Sequence, residues 1–442
     1  MESPVIGSGS TGAAAEEDAA GGAQQQAAAG AISMGGGSGG GCGTAPIAGS
    51  LYEAVLLELL RGLRTGLPLS DRTLVRLLAE APLLPMPSVV QHLQQLCSDG
   101  PDWATLALLA ARDVILQRPP NRPQVLNWVL EVAVSSDEDA RGKAVRLVAN
   151  RLFPEVSMSQ QIEIYAQQQL DMLLVEQQSL TAEAVKKEQQ QEQKCTTGAA
   201  AAALDTASPH DAGPSEERAA QLCGLYCALC TKKHSLLRRL LEVYSHTSEG
   251  GRAAIRRNAG GLAKTLGATA PALLAVVADP PPGSLPLLLD MLHVLTDTAV
   301  PPQPLVAACL AVHASSRDPR TLVPALPGMD KAAVLRLLPS LLELPPEALR
   351  RALARLVAPL PALEEGNAAD APLPGVAPFS PVEILTTLHT LDVSREPGLL
   401  RRVMQGVTVC LSSPAFFPPE ALAATINGLL IRVPLPQVWS SD

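Results

Sequence analysis

The sequence predicts an all-α protein, and three observations support this prediction. Between Leu285 and Leu360, four or five short leucine-rich segments follow one another, each ended by proline or a polar turn. Each segment has one apolar face but is too short to be stable alone, because isolated helices under about 12–15 residues are marginal in water. Hairpins upstream begin near residues 51, 88 and 122, a spacing of roughly 35 residues. Such segments must pack on their neighbours, which predicts a HEAT-like α-solenoid of stacked helical hairpins.

Two neighbouring segments show how the apolar faces are built. Leucines recur at helical spacing in the segment that begins at Pro346: Leu349, Leu353, Leu356 and Leu360. Its arginines are predicted to lie on the opposite side of the helix: Arg350, Arg351 and Arg355. The segment 330–344 also has one apolar stripe, and Asp330 is predicted as its N-cap. Prolines fall largely at segment starts, where the missing N–H costs little, so they mark helix boundaries.

The composition narrows the class of protein. Apolar residues make up 47% of the 442 residues but aromatic residues only 2%. The core is therefore built from Leu, Ala and Val, and few side chains are available to stack on bases. Eight cysteines without disulfide-framework spacing indicate a reducing compartment. The N-terminus lacks a secretory signal pattern. The sequence contains no run of about 18 apolar residues, so no membrane span is predicted.

Shifts in composition divide the chain into six predicted parts. They are a disordered Gly/Ala/Ser/Gln-rich tail (1–49), a first block of helical repeats (50–175), a low-complexity insertion (176–217), a second block of helical repeats (218–360), a linker (361–379) and terminal helical repeats (380–442). We expect the terminal repeats to be truncated or alternatively ended. A last hairpin without a covering neighbour would expose apolar surface.

Several helix starts can be predicted from local sequence. Ser70 stands before the amphipathic stretch DRTLVRLLAEA, and Ser135 with Glu138 has the spacing of a capping box. Ser215 is a further predicted N-cap, with two glutamates at the positive end of its helix. Residues 380–383 combine a cap serine, a proline at the first helical position and a glutamate at the third, which is a complete helix start.

One cluster contains the residue types that bind zinc: Cys223, Cys227, Cys230 and His234. Its cysteines recur at helical spacing among apolar residues, and one straight helix cannot arrange three thiolates tetrahedrally around a metal. We therefore predict that this cluster packs in the core, and we expect neither a metal nor a cofactor. Trp103 and Trp128 are predicted to fill the core between helical layers. His293 and His313 are predicted to be core or edge histidines with satisfied hydrogen bonds.

The charge is unevenly distributed along the chain. The net charge is −9, yet residues 218–358 hold 16 lysines and arginines against nine aspartates and glutamates. A basic middle suits an acidic protein partner or RNA phosphates, although solvated helix faces give the same pattern. The predicted basic surface for a partner or RNA consists of Arg252, Arg256, Arg257, Lys264, Arg350, Arg351 and Arg355.

Four stretches carry a resemblance to a known family: QRPPNRPQVLNWVLE, LHVLTDTAVPPQPLV, DPRTLVPALPGMDKAAVLRLLPSLLELPPEALRRALARLV and SPVEILTTLHTLD. The last three resemble the C-terminal region of the symplekin family, scaffolds of pre-mRNA 3′-end processing. The first, at Gln117, is similar to a segment upstream of that region. The resemblance runs from Pro101 to about Pro436, except near 176–217. The N-terminal region of the family has no counterpart here, so partners that dock there are not implied.

The resemblance implies a non-enzymatic scaffold in the nucleus. The implied partners are protein subunits of the cleavage and polyadenylation specificity factor and of the cleavage stimulation factor. RNA would be contacted only indirectly, and no membrane is implied. No catalytic motif occurs in the structural context that it requires, and no nucleophile–base pair stands out. Two alternatives stay open: a direct RNA-binding helical-repeat protein, and an unrelated HEAT-like adaptor in transport or at cell junctions.

Overall fold

The computed structural model describes residues 45–195, 215–358, 377–393 and 398–432, without the side chains of 45–50, 181–195 and 432. The chain forms two units, Met1–Tyr52 and Glu53–Asp442. Of the first unit, only the start of one helix is described. In the described ranges every regular element is helical, which confirms the all-α prediction.

Seven α-helices lie in the first described range, 45–195. They are α1 (Ala45–Gly66), α2 (Thr73–Glu80), α3 (Met86–Ser98), α4 (Pro101–Gln117), α5 (Arg122–Val132), α6 (Glu138–Leu147) and α7 (Val156–Cys195). A π-helical turn, Val148–Leu152, follows α6. Because α7 continues to Cys195, it includes the first half of the predicted insertion 176–217.

Eleven further helices lie in the remaining described ranges. They are α8 (Glu216–Cys230), α9 (Leu237–His246), α10 (Glu249–Leu266), α11 (Pro271–Ala278), α12 (Leu285–Thr296), α13 (Gln303–Ser316), α14 (Lys331–Leu341), α15 (Pro346–Val357), α16 (Pro381–Thr390), α17 (Leu399–Leu411) and α18 (Pro419–Arg432). Short 3₁₀ turns lie between some of them, including Pro319–Leu322 before α14. The predicted linker 361–379 falls mostly outside the described residues, and the six predicted boundaries stay predictions.

Several helices pack on the helix two positions away, and some also pack on a sequence neighbour, as α3 does on α4 and α7 on α8. Among the even-numbered helices, α4 contacts α2 and α6, α8 contacts α6 and α10, and α10 contacts α12. Among the odd-numbered helices, α3 contacts α5, α9 contacts α7 and α11, and α11 contacts α13. Later in the chain, α15 packs on α17 and α16 on α18. Short amphipathic helices are thus stabilised by burying their apolar faces against each other.

The core consists largely of Leu, Ala and Val side chains, as the composition predicts. The predicted stripe of α14 is buried: Val334, Leu338, Leu341 and Leu342. Three of the predicted leucines of the next segment are buried on α15, Leu349, Leu353 and Leu356, and the fourth, Leu360, lies outside the described residues. Trp128 is buried as predicted, but Trp103 is only half-buried because it lies near the start of α4. Gly406 lets α17 approach closely, since a β-carbon there would meet a methyl group of Leu342 at 2.8 Å.

Two predicted helix starts are confirmed by side-chain hydrogen bonds. The Ser215 hydroxyl accepts a hydrogen bond from the backbone N–H of Arg218. Ser380 and Glu383 form a reciprocal capping box, in which each side chain accepts from the other residue's backbone N–H. Asp330 occupies the N-cap position of α14 as predicted, but its side chain makes no capping hydrogen bond.

Two other predicted caps are wrong, for the same physical reason. The Asp71 carboxylate accepts hydrogen bonds from the backbone N–H and the hydroxyl of Thr73, so Ser70 does not cap α2. At α6, Asp137 accepts from two backbone N–H groups, and the predicted box of Ser135 with Glu138 does not form. In both places an aspartate lies nearer the first turn, where a charged acceptor is favoured by the helix dipole.

The last two described helices expose large apolar side chains. Leu400, Met404 and Leu411 of α17 are each more than half exposed, and so are three residues of α18: Ile426, Leu430 and Ile431. On α17 the three residues recur at helical spacing, so they form one continuous apolar stripe.

Candidate functional site

A cleft of about 450 Å³ lies between α10, α12 and α15. Its lining combines basic, acidic and aliphatic side chains: Arg256, Pro286, Leu289, Asp290, His293, Arg320, Val323, Ala348 and Arg351. Two residues of the predicted basic surface, Arg256 and Arg351, are therefore brought together from positions almost a hundred residues apart. A concave site with an apolar floor and a few convergent polar groups is the usual form of a binding site.

Arg256 is held at one wall of the cleft. Its guanidinium lies over the ring of the buried Tyr244, 5.6 Å from the ring centre. Arg256 Nη1 donates to Glu249 Oε1 at 2.9 Å, and its Nε lies 3.7 Å from Asp290 Oδ2. The Nε atom is itself buried and has no hydrogen-bond partner. The charge of Arg256 is thus partly neutralised and its side chain is fixed in place, while its Nε–H group donates no hydrogen bond.

Arg320 and Arg351 border the opposite wall. Arg320 forms a bidentate pair with Asp318, with Nη2 2.6 Å from Oδ2, and this pair lowers the pKa of Asp318 against the effect of burial. Arg351 is exposed on α15, and across the part of the chain that the structure describes it has no ion pair. Of the three lining arginines, Arg351 is the one whose charge is available to a ligand.

Arg355 is not on the exposed side of α15, and the prediction that placed it there is wrong. Its side chain is 7% exposed. One guanidinium nitrogen donates to the Thr296 hydroxyl at 2.6 Å and to the Val323 carbonyl oxygen at 3.4 Å, and another pairs with Asp297. Burial lowers the pKa of Arg355, although Asp297 opposes this effect. Arg355 therefore joins α15 to α12 from inside the protein.

His293 lies beneath the charged groups of the cleft. Burial, followed by the positive charges of Arg355 and Arg351, lowers its pKa to about 4, so the ring is neutral near pH 7. Its Nδ1 atom is buried without a hydrogen-bond partner, so the prediction of a satisfied histidine is wrong for this atom. His313 does have a partner, because its Nδ1 lies 3.1 Å from the Asp318 carbonyl oxygen. At the cleft mouth, burial raises the pKa of Asp290.

The other predicted basic residues do not converge on the cleft. Arg252 Nη1 lies 3.9 Å from Glu249 Oε2, and Arg257 pairs with Glu216 at the start of α8. Lys264 is exposed near the end of α10. Arg350 pairs with Glu347 at 3.0 Å and borders a second groove, beside Ala354 and Phe416.

Sequence reasoning missed Asp290 and Arg320 as members of the site. Asp290 looks like an ordinary polar residue on a leucine-rich helix, and nothing in its local pattern marks it. The Asp-Pro-Arg spacing at 318–320 does carry a signal, because an aspartate capping a turn positions a cation two residues later. The contacts that unite these residues are made between separate helices, which local spacing does not reveal.

The three cysteines of the cluster lie in the core as predicted, but His234, which was predicted to pack there too, is half-buried in the short turn after α8. Cys223, Cys227 and Cys230 are buried on α8. Burial raises the pKa of Cys230 to about 12, and a hydrogen bond with Cys223, together with burial, raises that of Cys227. These thiols are therefore protonated near pH 7. Within the described residues, no group of three or more His, Cys, Asp or Glu side chains could hold a metal ion.

Over the described residues, fold and cleft define an all-helical protein with a charged groove between helices. Residues 318–440, a little over a quarter of the chain, match the family model described as "Symplekin tight junction protein C terminal". This match supports a symplekin C-terminal region in this part of the chain. It includes Arg320, Ala348 and Arg351, while the α10 and α12 walls lie upstream of it. Among the described helices, none is long and apolar enough to cross a membrane.

Proposed function

We propose that this protein is a non-enzymatic, symplekin-like scaffold that helps to assemble the nuclear machinery for pre-mRNA cleavage and polyadenylation. The match of residues 318–440 to the symplekin C-terminal model is the observation that carries the proposal. The proposed partners are protein subunits of the cleavage and polyadenylation specificity factor and of the cleavage stimulation factor. RNA would be reached through those subunits.

We further propose that the helices form a HEAT-like α-solenoid. The support is the packing of α8 on α10 and of α10 on α12 in one row, and of α9 on α11 and of α11 on α13 in the other. Contacts between each helix and the one two positions away are typical of stacked hairpins. Stacks of this kind present extended surfaces to partners, which suits an assembly role.

Co-purification from nuclear extract tests the scaffold proposal. The full chain, tagged at one end, is captured with and without ribonuclease, and the endonuclease-containing and RNA-binding subunits of the two factors are quantified. Enrichment that survives ribonuclease is the expected result, because the contacts are between proteins. Absence of both factors would contradict the proposal, and enrichment abolished by ribonuclease would favour direct RNA binding.

The ion pairs on α10 weaken the alternative that this protein binds RNA directly. Arg252, Arg256 and Arg257 each lie beside a carboxylate, so α10 offers phosphates little uncompensated charge. If RNA binding did depend on this helix, the affinity for RNA would fall steeply with salt and with reversal of these three charges.

The alternative of an adaptor at cell junctions is kept because the family description names a tight junction protein. Immunofluorescence that places the full chain at epithelial contacts, with none in nuclei, would favour it.

A further inference from the structure

We propose that the cleft between α10, α12 and α15 binds a short peptide segment of a partner protein, in which an aliphatic side chain stands beside a carboxylate. This inference rests on the proposed scaffold function and names the chemistry of one of its contacts. The cleft volume of about 450 Å³ has room for only a few side chains. A local segment therefore fits it better than a whole domain surface.

The aliphatic part of the ligand is recognised by the cleft's own apolar residues. Pro286 and Leu289 on α12 line the cleft together with Val323 and Ala348. Leu289 and Val323 are buried at its base, so a side chain placed over them would cover the little apolar surface that remains open. Burial of apolar surface contributes affinity but is not directional, so the charged groups must set the orientation of the bound peptide.

The carboxylate is recognised chiefly by Arg351. Arg351 is exposed without an ion pair in the described ranges. Across the cleft, the buried Arg256 Nε and His293 Nδ1 atoms also have no hydrogen-bond partner. Buried polar atoms are almost always hydrogen-bonded, and each exception calls for a reason. A carboxylate beside Arg351 would accept hydrogen bonds from its guanidinium, and charge-assisted bonds of this kind are strong.

The surrounding charges favour a peptide over RNA. Asp290, Glu249 and Asp318 lie within ion-pair distance of Arg256 or Arg320, so they would repel a chain of phosphates. One face of the Tyr244 ring is covered by Arg256, and the ring is buried, so it cannot stack on a base. A ligand with one or two carboxylates next to an apolar group matches both the charge and the floor of the cleft.

Selection from a random peptide library displayed on phage tests the proposal, with the full chain as bait. We expect the enriched peptides to carry an aliphatic residue next to Asp or Glu. Enrichment of no peptides, or of basic or purely apolar ones, would overturn the proposal. A uridine dodecamer that bound more tightly than the enriched peptides, and lost affinity on Arg351→Glu, would assign the cleft to RNA.

Three substitutions then give responses of different sign in a fluorescence anisotropy titration of the most enriched peptide. Arg351→Glu should weaken binding at least about tenfold, the equivalent of one charge-assisted bond. Asp290→Asn should strengthen binding by about threefold, because it removes a repelling carboxylate, and this gain cannot arise from misfolding. Arg336→Glu on α14 is the matched control and should change nothing, since Arg336 is exposed away from the cleft. Equal effects of Arg351→Glu and Arg336→Glu would overturn the assignment.

A histidine signal gives a second readout from inside the cleft. The charged groups around His293 are Asp290 on its own helix, Asp297 directly after that helix, Arg351 and Arg355 on α15, and the lining residues Arg256 and Arg320. A bound carboxylate would raise the His293 pKa, which can be followed by the NMR signal of the ring and assigned with His293→Gln. An unchanged His293 titration with saturating peptide would place the peptide elsewhere.

The two proposals fail in distinguishable ways. If the wild-type chain and Arg351→Glu recover the 3′-end processing factors equally well, the scaffold function stands and the cleft is not a contact. If the peptide binds as expected but the chain recovers neither factor, the cleft assignment stands and the scaffold function is wrong.

Discussion

Helices α10 and α15 carry three arginines each, and the structure uses the two sets differently. On α10 each arginine lies beside at least one carboxylate, from Glu249, Glu216 or Asp290. On α15 the outcomes diverge: Arg350 pairs with Glu347 one turn earlier, Arg351 is open, and Arg355 is buried against α12.

The difference shows that positive charge in a sequence is not the same as positive charge at a surface. The excess of basic residues in 218–358 suggests one broad basic face, but most of these arginines have acidic partners. Exposed pairs contribute little to stability and reduce the charge that a ligand experiences. What remains for a partner is one open arginine at a cleft, which favours recognition of a small acidic group.

Arg355→Met gives the largest expected effect within this comparison. The substitution keeps much of the aliphatic stem but removes the hydrogen bonds to Thr296 and Val323 and the pair with Asp297. We expect a loss of about 2–3 kcal/mol in the free energy of unfolding, measured by urea denaturation. Arg351→Met, one turn earlier and exposed, is the control and should change stability by less than about 0.5 kcal/mol. Equal losses in the free energy of unfolding would mean that Arg355 stabilises the fold no more than Arg351 does.

The lowered pKa of His293 predicts that the stability of the fold depends on pH, and the arginines of α15 contribute to that lowered pKa. Its pKa is about 4 in the folded chain against 6.5 ordinarily, so between these values the unfolded chain binds a proton that the folded chain does not. Stability should therefore fall as the pH drops from about 6.5 towards 4. His293→Gln removes this contribution. We expect the wild-type chain to lose about 1–2 kcal/mol more than His293→Gln between pH 7 and pH 5. Parallel losses in urea denaturation would contradict the buried, neutral state of this ring.

Arg256→Ala and Arg257→Ala separate two neighbouring arginines of α10. Arg256 covers the Tyr244 ring and bridges Glu249 and Asp290, whereas Arg257 makes one exposed pair with Glu216. We expect a loss of about 1 kcal/mol for Arg256→Ala and less than about 0.5 kcal/mol for Arg257→Ala. Thermal denaturation of both variants measures this difference. A larger loss for Arg257→Ala would reverse the order proposed for this helix.

The sequence predicts the helices well because their signals are local. Leucine spacing correctly identifies the buried sides of α14 and α15, and the box of Ser380 with Glu383 marks the start of α16. Where the signals compete, local inference fails: Asp71 and Asp137 cap their helices in place of the serines nearby.

The site is harder to predict because it is made by contacts between distant segments. On a helical wheel Arg355 belongs with the other arginines of α15, and only the position of α12 shows that it is buried. One carboxylate that reduces the positive charge of Arg256 belongs to Asp290, more than thirty residues away. This ion pair depends on how α10 packs on α12. Such pairings follow from tertiary packing, which periodicity alone does not define.

Hydrogen–deuterium exchange of the full chain, with and without the enriched acidic–aliphatic peptide, tests most directly whether the cleft is the docking site. Two surfaces compete in this measurement, the cleft and the apolar stripe of α17 formed by Leu400, Met404 and Leu411. The cleft assignment predicts slower exchange in α12 and α15, with no change in α17, and loss of that protection in Arg351→Glu. Protection confined to α17 and α18, or protection of α12 and α15 that persists in Arg351→Glu, would contradict it.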